Sequence, residues 1–419
     1  MTKPEALMTS ALDEMAVKPS VLRGADSLCH GRRLFIGPLL VAAAYALVGS
    51  PCGANEDAAT ARIVAKYKPN VDRGLQWLAR QQFRDGHWEA NNGWYPVAVT
   101  AMAGMALLAE GSTPSHGKYA KELDRTVDYL LSRVQKSGLI GNPANPRERE
   151  RYMYGHGFGM LFLAQIYGEE GDDQRRKELE RVLTRAVEYC GKAQTRMGGW
   201  GYLTASEGND FDEGSVTITQ FQALRACKNA GIPVPKEVID KAQEYLKKST
   251  QVTKSDSNPM LEEAGVVYSL QRASGNVRPP LAPAGIACMF SSGEYKSDLA
   301  IKWLNYCQRN IPIDATTREG GQHFEYTHYY YAQVLYILGE DRHAQLRPDL
   351  ADQERKGNAT LLKWSRYREA MFEVICAKQL GDGSWPQGGG FSSVGPVYST
   401  AIFLTILQLD KGNLPIYQR

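Results

Sequence analysis

Asp210-Phe211-Asp212-Glu213 places three carboxyl groups within four residues, just before an apolar stretch that begins at Val216. Acids crowded in this way favour retention of a proton on one of them, which suits a Brønsted acid. The same residues also suit a helix start, where Asp212, Glu213 and Ser215 would satisfy open amides and complement the helix dipole. Two histidines stand at comparable places, His156 in Tyr-Gly-His-Gly-Phe and His328 in Tyr-Thr-His-Tyr-Tyr. Each opens an apolar stretch, so each is either a satisfied core residue or part of a polar site. Aromatic residues gather at the same openings: Trp94, Tyr95, Tyr152, Tyr154, Phe158, Phe324, Tyr326, Tyr329 to Tyr331 and Tyr398. Such rings either line a pocket for an apolar ligand or fill a core. Trp94, Tyr95, His156, Phe158, His328, Tyr329 and Tyr398 are the expected cavity residues. No CxxC or Cys/His cluster suggests a metal, and no cofactor is expected.

Two kinds of helix must hold these residues. One-sided amphipathic stretches centre on Trp77, Tyr129, Tyr189, Tyr245, Trp303 and Val374, with apolar positions at i, i+3, i+4 and i+7. Each is followed by a stretch apolar on nearly every face: residues 97–111, 156–168, 216–231, 262–275, 328–339 and 398–412. A helix apolar all round is buried on all sides, whereas a one-sided helix sits at a surface. Six alternations predict an all-α fold, a single (α/α)6 barrel over residues 60–419, with the insertion 347–364 decorating its last connection. Sustained period-two alternation is absent, so strands should be minor.

A Gln-x₃-Gly-x-Trp spacing recurs where an outer helix crosses to an inner one: Gln82, Gly86 and Trp88; Gln194, Gly198 and Trp200; Gln379, Gly383 and Trp385. Glycine permits a tight turn, tryptophan can stack over the helix end, and the glutamine amide can pair with backbone left open there. These residues read as staples. Asp85 and His87 are replaced by Met197 and Gly199 in the third repeat, so chemistry is expected at the inner mouths instead.

Together these stretches resemble the QW repeats of the squalene–hopene cyclases, oxidosqualene cyclases and protein prenyltransferase β-subunits. Arg73-Gly74, Trp77-Leu78, Gln82, Gly86 and Trp88 match the pattern throughout. Arg185-Ala186, Tyr189, Gln194, Gly198 and Trp200 match it except for Cys190, and the second, fourth and fifth repeats lack Gly-x-Trp. The resemblance implies an apolar, isoprenoid ligand and, for the cyclases, alkene protonation by an Asp-x-Asp-Asp motif. Residues 210–213 approximate that motif, with Glu213 at its last place, so the resemblance implies Asp212 as the proton donor, tuned by Asp210 and Glu213. It also implies that a prenyltransferase would hold zinc through an Asp-x-Cys pair, which this chain lacks. Two functions therefore stand: an apolar-ligand barrel that binds an isoprenoid and, if catalytic, cyclises it, or a non-catalytic toroid presenting its loops to a protein or to the cell envelope.

Composition narrows the partners. Of 419 residues, 43% are hydrophobic, and 49 basic residues nearly balance 46 acidic ones. No basic stripe appears, so nucleic acid is a poor partner. Arg32-Arg33, an apolar run over 34–49 and the small residues Cys52-Gly53-Ala54 have the order of a secretory leader, with cleavage expected after Ala54 and residues 1–54 as the leader. Export to the periplasm or envelope is the expectation; a retained N-terminal anchor or peripheral membrane contact is its alternative. The five cysteines beyond the leader lie in apolar contexts and read as buried thiols, with at most a bridge or two.

Overall fold

The computed structural model describes residues 51–254, 262–271, 277–291, 296–313, 323–389 and 393–417. The chain divides into residues 1–56 and residues 57–419. Apart from the start of the first helix, the leader expected over residues 1–54 lies outside the described residues.

The inner helices are α2 (Pro96–Glu110), α4 (Tyr152–Ile166), α6 (Gly214–Asn229), α8 (Leu281–Ser291), α10 (Phe324–Leu338) and α14 (Pro396–Leu407). Each packs on the next, and α14 returns to α2, so the ring closes. Every residue of α2 from Pro96 to Ala109 is buried, as an inner position demands. The outer helices are α1 (Pro51–Arg80), α3 (Ala120–Ser132), α5 (Asp173–Ala193), α7 (Lys236–Lys248), α9 (Asp298–Asn310) and α13 (Trp364–Ala377). Their markers Trp77, Tyr129, Tyr189, Tyr245, Trp303 and Val374 are all buried. Two short helices, α11 (Arg342–Leu346) and α12 (Pro348–Arg355), occupy the last connection.

The fourth repeat departs from expectation. Residues 262–271, the described part of the stretch 262–275, do not form an inner helix. Glu262–Val266 is a strand, β2, paired antiparallel with β1 (Thr250–Lys254) in the register Thr250↔Val266 to Lys254↔Glu262. The inner helix of this repeat is α8 instead. Pro279, Pro280 and Pro283 disguise its start, yet proline is tolerated in a first turn, where amides have no intrahelical partner. Cys190, Cys227, Cys288 and Cys307 are buried free thiols, and Cys376 is a partly buried one.

The Gln-x₃-Gly-x-Trp turns join neighbouring repeats. Gln194 Nε2 donates to its own Gly198 carbonyl (2.8 Å) and to Val238 on α7 (3.0 Å). Gln82 does the same with Gly86 (3.0 Å) and Glu122 on α3 (2.9 Å). Gln379 reaches Gly383 (2.9 Å) and Asn70 on α1 (2.8 Å), which closes the outer ring. Each tryptophan Nε1 caps the outer helix behind it, Trp88 on Leu78, Trp200 on Cys190 and Trp385 on Ile375. Gly86, Gly198 and Gly383 all have positive φ, and a Cβ there would strike the carbonyl oxygen of Arg125, Lys241 or Arg73. Those three lie four residues before the markers of the following repeats. The basic residue of the pattern therefore serves the preceding turn: Arg125 donates to Gln82 (2.6 Å) and Arg73 to Gln379 (2.7 Å).

Candidate functional site

The N-terminal ends of the inner helices form one mouth. Tyr154, Tyr326 and Tyr398 are each the third residue of their helix, on α4, α10 and α14. Trp94 and Tyr95 precede α2, Tyr95 in a left-handed conformation (φ 53°) that a bulky side chain seldom adopts. Tyr202 lies beside Tyr154 (ring centroids 5.9 Å) and its hydroxyl contacts that of Tyr268.

The three acids of residues 210–213 do not converge. Asp210 is held by Arg196, accepting from its amide (2.8 Å) and pairing with its guanidinium, which keeps the carboxyl below its ordinary range. Asp212 is fully buried between the two rings. Its Oδ2 accepts from the Tyr245 hydroxyl on α7 (2.8 Å) and the Leu270 amide (2.9 Å), and its Oδ1 has no hydrogen-bond partner. Glu213 alone turns toward the mouth. It is the N-cap of α6, accepting from the Val216 amide (2.9 Å), Ser215 Oγ (2.6 Å) and Tyr154 Oη (3.4 Å). Burial pushes its carboxyl up, against the hydrogen bonds that favour the charged form. The acid-donor and helix-cap readings thus fall on different residues: Glu213 caps, and Asp212 braces the outer helix.

Both histidines are structural in geometry. In the repeats with tryptophan, the Trp amide donates to a threonine on the inner helix: Trp88 to Thr100 (2.8 Å), Trp200 to Thr217 (2.9 Å) and Trp385 to Thr400 (3.0 Å). His156 takes that place in the second repeat, where Nδ1 accepts the Ile140 amide (3.1 Å). His328, the fifth residue of α10 as Thr100 is of α2, pairs through Nδ1 with Tyr367 Oη (3.1 Å) on α13. Burial lowers their pKa to about 4 and about 3, so both are neutral.

Below the mouth the ring is closed. Gln222 on α6 donates to Gln333 on α10 (2.9 Å), a buried bond between helices that are not neighbours in the ring. At the far end the Ile416 amide donates to Gln165 on α4 (2.9 Å), and the Tyr417 hydroxyl pairs with Tyr329 (2.9 Å). Phe158 is buried as well. Of the expected cavity residues, Trp94, Tyr95 and Tyr398 are therefore at the mouth, whereas His156, Phe158, His328 and Tyr329 belong to the packed interior. A void of about 10 Å³ remains at the far end beside Gln408 and Tyr417. A cavity of about 150 Å³ lies at the mouth, lined by Trp94, Tyr95, Arg147, Glu148, Glu150 and Arg151. Arg147 and Arg151 had no individual signal in the sequence, because Arg-Glu-Arg-Glu-Arg reads as an ordinary solvated loop.

No family model matches the chain. An 89-residue stretch is 32% identical to human lanosterol synthase, covering 21% of this chain and only 12% of the length of that protein. Among solved structures, an α-1,6-mannanase of Salegentibacter in complex with α-1,6-mannotriose aligns over 82% of this chain and 99% of its own, with TM-score 0.54 and 11% identity. A type II terpene cyclase from Scytonema in complex with geranylgeranyl dihydroxybenzoate aligns over 84% of this chain and 99% of its own, with TM-score 0.47 and 12% identity. The chain is thus an α/α toroid by fold, with one stretch similar in sequence to a lanosterol synthase.

Proposed function

We propose that the protein binds an apolar, isoprenoid-type small molecule at the aromatic mouth of its toroid, over an inner ring that serves as scaffold. The observation that carries this is the convergence of Tyr154, Tyr326 and Tyr398 on one mouth whose floor is closed by Gln222 and Gln333. The hydroxyl of Tyr326 is buried without a partner, and an unpaired buried donor of this kind marks a place where another polar group is accommodated. A cavity of about 150 Å³ admits roughly a benzene-sized group. The ligand's body therefore lies across the tyrosines and not in that cavity. The similarity of one stretch to lanosterol synthase supports the ligand class. Native mass spectrometry of the protein with squalene and shorter prenyl compounds tests the reading: a retained prenyl ligand is expected, and failure across the panel overturns it. Should a cyclised product form, Asp212→Asn decides whether the buried acid takes part; unchanged conversion removes it.

A second reading, a non-catalytic toroid that docks to a protein or the envelope, is favoured by one observation. Phe83 (47% exposed), Met197 (38%) and Leu380 (48%) each project from a Gln-x₃-Gly-x-Trp turn. Replacing all three by serine would then abolish association while leaving prenyl binding intact. Export is part of the proposal, supported by the order of charged, apolar and small residues over 32–54. N-terminal sequencing of protein recovered from cells should find a start beyond Ala54, and an intact leader would overturn it.

A further inference from the structure

The mouth cavity contains two arginines without a counter-ion. The Arg147 guanidinium lies over the Trp94 ring (5.2 Å) and that of Arg151 over Tyr202 (4.7 Å), and neither side chain has a hydrogen bond or ion pair among the described residues. A guanidinium stacked on a ring is held in place, yet its N–H groups point outward in its own plane and stay free to donate. Neither of the carboxylates that line the cavity pairs with these arginines. Glu148 is buried and accepts from the Val97 amide (2.9 Å) and the Asn142 amide (3.0 Å), so it caps α2 from the neighbouring loop. Glu150 faces Arg149 (3.9 Å). The cavity wall also contains left-handed Tyr95, whose amide donates to the Arg147 carbonyl (3.4 Å) and ties the two sides together. Strained backbone held by its surroundings clusters at binding sites.

Resting on the reading of the mouth as an apolar-ligand site, we infer that this cavity accepts the oxyanion head group of an amphiphilic ligand, a phosphate or a carboxylate. Arg147 and Arg151 donate to its oxygens, and the prenyl tail crosses the tyrosines. The two arginines flank one opening and Arg151 adjoins Tyr202, whose ring lies tilted beside that of Tyr154, so head and tail sites are continuous. A pure hydrocarbon would leave both guanidiniums unused.

Isothermal titration of the full chain with farnesyl phosphate, farnesoate, farnesol and inorganic phosphate tests this. Charge-assisted bonds predict that at least one anionic ligand binds on the order of 10-fold or more tighter than farnesol. The Arg147→Gln/Arg151→Gln variant should lose that gap and keep its affinity for farnesol, and added salt should weaken only the anions. A preference for phosphate over carboxylate, or the reverse, identifies the head group. Farnesol binding as tightly as both anions overturns the inference and leaves the aromatic mouth intact. Arginine-dependent binding of inorganic phosphate with no prenyl ligand retained supports the anion site and overturns the isoprenoid reading. Binding of none of the four overturns both.

Discussion

The third repeat and the second solve one packing problem with different chemistry. In the third, Trp200 fills the space behind the turn, its amide meets Thr217, and Gln194 ties the turn to α7. In the second, Ile140 stands in the tryptophan's place and donates to His156. Gln135 there bonds only within its own loop, to Gly141 (2.8 Å) and Arg133 (3.2 Å), and Arg185 reaches back from α5 to the Gln135 carbonyl (3.3 Å). Gly138 is kept, since a Cβ would strike the Arg185 carbonyl. The close backbone approach is therefore the invariant part of the device, and the groups around it are exchangeable. One consequence is functional: a threonine at this place is indifferent to pH, whereas a buried histidine is not.

The comparison breaks most severely at Trp200. Trp200→Ala removes a fully buried ring and uncaps α5, and should cost about 3–5 kcal/mol in a denaturant titration. A loss under 1 kcal/mol would show that the buried ring is not what holds the turn against α5.

Acid should separate the two kinds of repeat next. The folded pKa of His156 (about 4) and of His328 (about 3) lies below the unfolded value, so their contribution is fully present above about pH 6.5 and is lost as pH falls toward those values. By pH 5 each should have cost about 2 kcal/mol. Replacing both by glutamine should reduce the loss of stability between pH 7 and 5, leaving the share of buried His343, whose pKa burial also lowers to about 4; an unchanged slope would place the acid sensitivity elsewhere.

Gln194→Ala removes the tie to α7 and should cost about 1–2 kcal/mol, whereas Gln135→Ala should cost less because its bonds are local. Equal losses by thermal melting would contradict the cross-repeat role. Thr217→Val, which withdraws one acceptor from the Trp200 amide, should have the smallest effect, about 1 kcal/mol. A much larger loss would mean that the threonine supports more than that amide.

The all-α toroid was legible because its signal is periodic and redundant. Five of the six inner stretches read from the sequence are inner helices, and the glutamine, glycine and tryptophan spacings mark the turns they were expected to mark. The fourth repeat was not legible. Gly265 and the valines after it read as a buried helix, yet pairing with Thr250–Lys254 makes them a strand, and a short apolar run does not distinguish the two. The site was legible only in part. Crowding at helix starts pointed to Trp94, Tyr95, Tyr398 and the acids, but three adjacent carboxyls can face three directions, and these do.

The sequence by itself determined the ring: alternating one-sided and all-apolar helices, joined by turns that only glycine permits. Tertiary structure decided what the ring leaves open. Whether Asp212 meets a cavity or Tyr245, whether His156 is a site or a peg, and whether two arginines in a charged loop lie over aromatic rings all depend on neighbours 16 or more residues away in the chain. Periodicity records which face of a helix is dry. It carries no information about which group stands opposite.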